Sequence, residues 1–185
     1  MTNYNFNSSY GRQLMDRLVT NPLALSAGKC FMVAPSTHPN YQNLQDIFKE
    51  DPDGVPRIYT TLTAALANVT ADRGDIIYLA EGYAETIVAA AGGGVAKAGV
   101  RIVGLGDGTN RPTFTFTTST AASFDITAAR VYIQNCIFTC GIDAQLAMIN
   151  ITTADVTIDG CEINTNSGTV GTVAGILTAA TIVSA

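Results

Sequence analysis

The sequence predicts an all-β fold: a right-handed single-stranded parallel β-helix of about four coils, with an N-terminal capping helix and an extended N-terminal arm. Three observations predict it. The first is an internal repeat: residues 124–138 (FDITAARVYIQNCIF) lie over residues 149–163 (INITTADVTIDGCEI) at a shift of 25 without a gap. Ile126/Ile151, Thr127/Thr152, Ala129/Ala154, Val131/Val156, Ile133/Ile158 and Cys136/Cys161 are identical at that shift, while Phe124/Ile149 and Phe138/Ile163 stay apolar. The second is the period of two inside each copy, where Phe124, Ile126, Val131, Ile133, Cys136 and Phe138 face one way and Asp125, Tyr132 and Ile137 the other. The third is composition: 47% hydrophobic and 14% charged residues, against a usual charged share of about 25%, spread as short β-rich runs. No helical pattern appears between residues 74 and 185.

Each copy thus offers very short strands that cannot bury their apolar side alone, and stacking copies about 4.8 Å apart makes one continuous core. A β-sandwich also has many short strands, but it does not place like residues over like at a fixed shift. The predicted core stack is Ile126 with Ile151, Val131 with Val156, Ile133 with Ile158, and Cys136 with Cys161.

In chain order, residues 1–28 read as a polar arm with one short helix, Arg12 to Val19, where Leu14 and Leu18 share a face and Asn21-Pro22 ends it. Residues 29–73 hold a strand (29–33), a long polar connection (34–57) in which Leu44, Ile47 and Phe48 form a helical turn against the body, and a Thr-capped helix over 60–69. In that helix Leu62, Ala65, Leu66 and Val69 share a side. Residues 74–185 form the β-helix. Its first two coils align 74–82 with 98–106 at a shift of 24, pairing Ile76 with Val100 and Tyr78 with Ile102. Its last continues the shift of 25, placing Ile176 over Ile151 and Val183 over Ile158. Residues 106–121 read as an insertion enlarging the second coil.

Residues 57–87, with Gly74-Asp75, Ile76 to Tyr78 and Gly82-Tyr83-Ala84-Glu85, resemble the opening of pectin-lyase-like right-handed β-helices, where a helix caps the tube. The wider pattern of 28–33, 73–87 and 99–112, within residues 28–165, resembles tailed-bacteriophage virion proteins of the capsid decoration or cement class. That second resemblance implies a trimeric, non-enzymatic shell component.

Charge and motifs narrow the function classes. The formal net charge of −5, with Lys and Arg scattered singly, argues against a nucleic-acid partner. No apolar run reaches the roughly 20 residues of a membrane span, and MTNYNFNSSYGRQ does not read as a secretory signal, which implies synthesis in the host cytoplasm. Four cysteines without a CxxC pair and one histidine, His38, imply no metal site and no cofactor. His38 reads as a surface side chain, Cys140 as partly exposed, and Cys136 with Cys161 as small apolar core thiols.

No catalytic residues are predicted. Glycan-cleaving β-helices need two positioned carboxylates, and at the shift of 25 Asp125 falls beside Asn150, Asp159 beside Gln134, and Asp155 beside Arg130 as a turn-edge ion pair. Outward-facing Asp125 and Glu162 are the nearest to a glycan-facing pair. Gly104 to Gly108 reads as a turn rather than a phosphate loop, and Arg73-Gly74-Asp75 as an ordered junction.

Function is therefore expected to lie in surfaces. The outer face carries Thr, Ala, Tyr132 and Ile137, and the apolar run Ile176 to Val183 stops at Ala185 without a polar cap, so that the end is either buried against another chain or continued by further residues. The expectation is a homotrimer located in the virion, contacting the major capsid protein or another virion protein. Tyr4, Phe6, Tyr10, Leu14, Leu18, Ile176 and Val183 are the candidate contacts, and the arm and the 34–57 loop order on binding. The alternatives are a glycan-binding or glycan-cleaving tail fibre or spike, and a cellular scaffolding β-helix.

Overall fold

The structure, a computed structural model, describes residues 28–50, 54–167 and 170–178. The expected arm helix, with Tyr4, Phe6, Tyr10, Leu14 and Leu18, lies outside these residues, as does Val183.

The chain forms a parallel β-helix with three sheets, each visited once per coil. β1 (Cys30–Val33), α1 (Tyr41–Ile47), β2 (Ile58–Tyr59) and α2 (Leu62–Asn68) come first. Four coils follow: β3 (Ile76–Leu79), β4 (Ala84–Ile87) and β5 (Gly93–Val95); β6 (Arg101–Gly104), β7 (Thr113–Phe116) and β8 (Phe124–Ile126); β9 (Val131–Gln134), β10 (Ile137–Cys140) and β11 (Gln145–Ile151); then β12 (Val156–Asp159), β13 (Glu162–Asn164) and, after the short β14 (Asn166–Ser167), β15 (Val170–Thr178). The first sheet runs β12-β9-β6-β3-β1-β2, the second β13-β10-β7-β4, the third β14-β15-β11-β8-β5.

The shift of 25 is a physical register: Val131 pairs with Val156, Ile133 with Ile158 and Phe138 with Ile163 between the third and fourth coils, and Ile126 with Ile151 between the second and third. The row Phe31, Ile77, Ile102, Ile133, Ile158 runs through five successive strands of the first sheet. In the second sheet Phe114 stacks on Phe138 with ring centroids 5.3 Å apart, and Phe124 meets both rings edge-on.

Three register expectations are corrected. The first two coils are related by 25, not 24: Ile76 pairs with Arg101, Ile77 with Ile102 and Tyr78 with Val103. A one-residue slip exchanges the two faces of a strand, so Ile77 and Leu79 face the tube interior while Ile76 and Tyr78 face outward. The slip was invisible because β3 is apolar on both sides, its outer face being covered by Leu44 and Phe48 together with Met32 and Val103. The last coil is related by 27: Ile176 lies over Ile149 and Thr178 over Ile151. The cause is the β14–β15 hairpin, since two more residues separate Asn164 from Thr172 than separate Thr139 from Gln145. Residues 106–121 are not a plain insertion either, because Thr113–Phe116 is a full rung pairing with β4 and β10.

In the 34–57 segment Leu44 and Phe48 are buried against the first sheet, whereas Ile47, expected beside them, is 37% exposed. α2 caps the tube as predicted, with Leu62, Ala65, Leu66 and Val69 buried and the Thr61 hydroxyl accepting the Ala64 N–H at 3.2 Å. The Leu62 N–H, one of the donors a helix start leaves without a partner, donates to the Tyr83 hydroxyl, which in turn donates to Glu85 at 2.7 Å.

Each strand of the first sheet in the four coils is entered through a left-handed residue two positions before the aligned rung: Gly74, Gly99, Arg130 and Asp155, with φ of 82°, 71°, 57° and 56°. The first two use glycine, which adopts this conformation without steric cost. The last two do not.

Candidate functional site

At the helix-capped end a buried acid joins the first coil to the segments before it. Asp75, which precedes Ile76 and so stands below Val100, is fully buried, and its carboxylate accepts the Lys29 and Thr70 backbone N–H groups, both at 2.7 Å, and two Arg73 N–H groups, both at 2.6 Å. This ties the strand before the tube, the exit of α2 and the first coil together. It also explains Arg73-Gly74-Asp75 as a structural junction, with its acid buried beneath the surface.

On the outer face of the first sheet the Tyr132 hydroxyl donates to Asp159 at 2.5 Å, Gln134 donates to the same oxygen at 3.1 Å, and the Arg101 guanidinium lies 4.1 Å from the Tyr132 ring centre. Partial burial, then the Asp159 carboxylate, pushes the Tyr132 hydroxyl pKa up. Arg130 pairs with Asp72 at 2.6 Å, and not with the expected Asp155. Asn135, at φ 59°, donates its amide to the Gly104 and Gly106 carbonyls at 3.0 Å each.

The two acids nearest to a glycan-facing pair are not brought together. Asp125 is on β8 in the third sheet, and Glu162 on β13 in the second, where Arg111 pairs with it. Asp125 lines a groove of about 260 Å³ with Thr63, Thr127 and the glycines 92–94, and no other acid lines it. Glycine is required at 94, since a Cβ there would lie 2.3 Å from the Asp125 carbonyl oxygen. His38 is not a loose surface group: its Nδ1 accepts the Asn40 N–H at 3.2 Å, so Nε2 carries the proton toward the Glu81 carbonyl, also 3.2 Å away. Among the described residues no three His, Cys, Asp or Glu side chains converge on a metal position, and no helix is long and apolar enough to cross a membrane.

What remains is an apolar surface at one end of the tube. On the β11–β15 pair Leu146 lies beside Val173, 58% and 75% exposed, and Leu177 beside Asn150, 50% exposed. Ile176, in the last rung, is 40% exposed. These four are most of the exposed large apolar side chains among the described residues, the others being Ile47 and Val88. β14 pairs with β15 only at Val170 and Gly171, so from Thr172 onward the outer edge of β15 faces no strand among the described residues.

Of the exposed apolar residues here the sequence named Ile176, which stands in the interior row over Ile149, and missed Leu146, Val173 and Leu177 on the other face. Alternation counted back from Ile149 and Ile151 would have turned Leu146 outward. The outward residues chosen instead are not open: Tyr132 is engaged as described, and Ile137 is buried in a row between Thr113 and Glu162. Cys140, expected near the surface, is fully buried, its thiol donating to the Ile142 carbonyl at 3.0 Å.

No family model, curated protein or solved structure matches the chain.

Proposed function

We propose that the chain is a non-enzymatic virion structural protein, a capsid decoration protein that binds the outer shell as a homotrimer. The observation that carries the reading is the concentration of exposed large apolar side chains on β11 and β15 among the described residues. Isolated apolar side chains are ordinary on a surface, but Leu146 beside Val173, with Leu177 on the same face of β15 and next to an open strand edge, is the pattern of an interaction site. The resemblance of residues 28–165 to decoration proteins supports the same reading, with the tube as a stiff post and neighbouring copies sharing the third sheet's outer face. A stable interface buries about 800 Å² per partner, so Leu146, Val173 and Leu177 supply its centre and the remainder comes from the surrounding rim and from the shell.

Two measurements test it. Light scattering on the purified chain at micromolar concentration is expected to give a trimer, and Leu146→Asp with Val173→Asp to give a folded monomer. Heads of the encoding virus that lack this protein are expected to take up the wild type on co-sedimentation. A stable monomeric wild type, or heads that leave it in the supernatant, overturns the proposal.

A further inference from the structure

The backbone ladder holds two cysteines of successive coils against each other. Asn135 N–H donates to the Asp159 carbonyl at 3.0 Å on one side of the pair, and Glu162 N–H to the Cys136 carbonyl at 2.9 Å on the other. Cys136 and Cys161 are thereby fixed at the ladder spacing of about 4.8 Å, inside the range of about 4.4–6.8 Å between Cα atoms that disulfides bridge. The Cys136 N–H is 3.4 Å from Cys161 Sγ. Both cysteines are thiols. Neither of the other two faces a cysteine, since Cys30 pairs with Ile76 and Cys140 with Phe116.

The two thiols have different surroundings. Cys136 is fully buried in the main core, while Cys161 is half-buried in the fourth coil. The Cys136 thiol and the Cys136 and Asn135 N–H groups stabilise charge on Cys161 and lower its pKa to about 7. Cys136 is displaced upward by its bond to Cys161 and by burial. A half-exposed thiol ionised near neutrality beside a buried one is the arrangement in which the first attacks and the second resolves.

We propose that Cys136 and Cys161 form a thiol–disulfide exchange site, with Cys161 attacking, Cys136 resolving, and a low-molecular-weight disulfide such as glutathione disulfide as oxidant. Cys161 loses its proton to solvent, and its thiolate attacks one sulfur of the oxidant. The oxidant's S–S bond breaks, and one glutathione thiolate leaves and is protonated. Cys136 then gives up its proton and attacks Cys161 Sγ, expelling the second glutathione thiolate. Two protein thiols lose two electrons and become one disulfide; the oxidant gains them and becomes two thiols. The new bond joins the third coil to the fourth, whose strands β12 and β13 are the last of their sheets.

The test uses the full reduced chain, incubated with glutathione disulfide at mildly alkaline pH, quenched with acid, alkylated and mapped by peptide mass spectrometry. The wild type is expected to yield a linked Cys136–Cys161 peptide lacking two hydrogens, with Cys30 and Cys140 still alkylated. Its thermal midpoint is expected to rise by several degrees, because cross-linking restricts the unfolded chain. Cys136→Ser, or Cys136→Ala should the serine variant misfold, is expected to stop at glutathione on Cys161, and Cys161→Ser to consume no oxidant. A wild type in which both thiols stay alkylatable, in which glutathione persists on Cys161, or in which Cys30 or Cys140 is oxidised first, overturns the assignment. None of these readouts depends on the oligomeric state.

Discussion

Replacing Asp75 by alanine removes the one acceptor that serves four donors at the capped end of the tube. Two of those donors are backbone N–H groups, Lys29 and Thr70, and two belong to Arg73, whose side chain is 27% exposed. Hydrogen bonds to a charged group each contribute about 1.5–3 kcal/mol, but they share one carboxylate and do not add. Deleting one partner of a buried ion pair costs about 3–5 kcal/mol, and that is the expected loss here. Arg73→Ala removes two of the four donors and leaves the buried carboxylate its two backbone N–H groups, for an expected loss of about 1.5–3 kcal/mol. For a chain of this length about 4 kcal/mol lowers the thermal midpoint by roughly 8–16 °C. Urea unfolding followed by far-UV circular dichroism gives the free energy directly, with Asp75→Asn expected between alanine and wild type. An Asp75→Ala loss below about 1 kcal/mol would refute the tie between strand, helix exit and first coil.

Three other outcomes follow from the geometry. Asn135→Ala loses two side-chain hydrogen bonds and leaves alanine at φ 59°, for a loss of about 2–3 kcal/mol, and Asn135→Gly recovers the backbone part, as paired urea titrations would show. Asp155→Gly relieves a left-handed non-glycine residue at an exposed turn, so the thermal midpoint is expected to rise by the equivalent of about 0.5–1 kcal/mol. Cys161, lowered to about 7, carries its thiolate above neutral pH, so its alkylation rate should climb through pH 7 and level off above it. Cys30, whose burial raises its pKa, should react slowly over the same range; stopped alkylation with peptide mapping separates the two.

The sequence was most legible where side chains alternate cleanly. Residues 124–138 and 149–163 each carry an apolar interior row and a polar outer row, so a single shift brought every pair into place, from Phe124 over Ile149 to Phe138 over Ile163. It was misread where alternation vanishes: Ile76 to Leu79 is apolar throughout because α1 covers its outer side, and nothing local chooses between shifts of 24 and 25. The 27-residue step hid in a hairpin that no residue of the preceding coil foreshadows. Partners two coils apart were equally hidden, as with Arg130, which meets Asp72 across 58 positions. The apolar face was legible only in part, since Ile176 belongs to the repeating interior row while Leu146 and Val173 sit on the side where sequence leads one to expect polar residues.

The corner between the first and second sheets has a practical consequence. Seven more residues separate Val103 from Thr113 than separate Gln134 from Ile137, yet Val103 still pairs with Gln134 and Thr113 with Ile137. The excursion at Asp107 to Arg111 therefore bulges sideways without disturbing the rungs it connects, and closing a longer loop costs little additional entropy. Foreign peptides grafted at Gly108, ahead of the Asn110 carbonyl that accepts the Gly82 N–H at 2.6 Å, would be displayed from a fixed point on the scaffold.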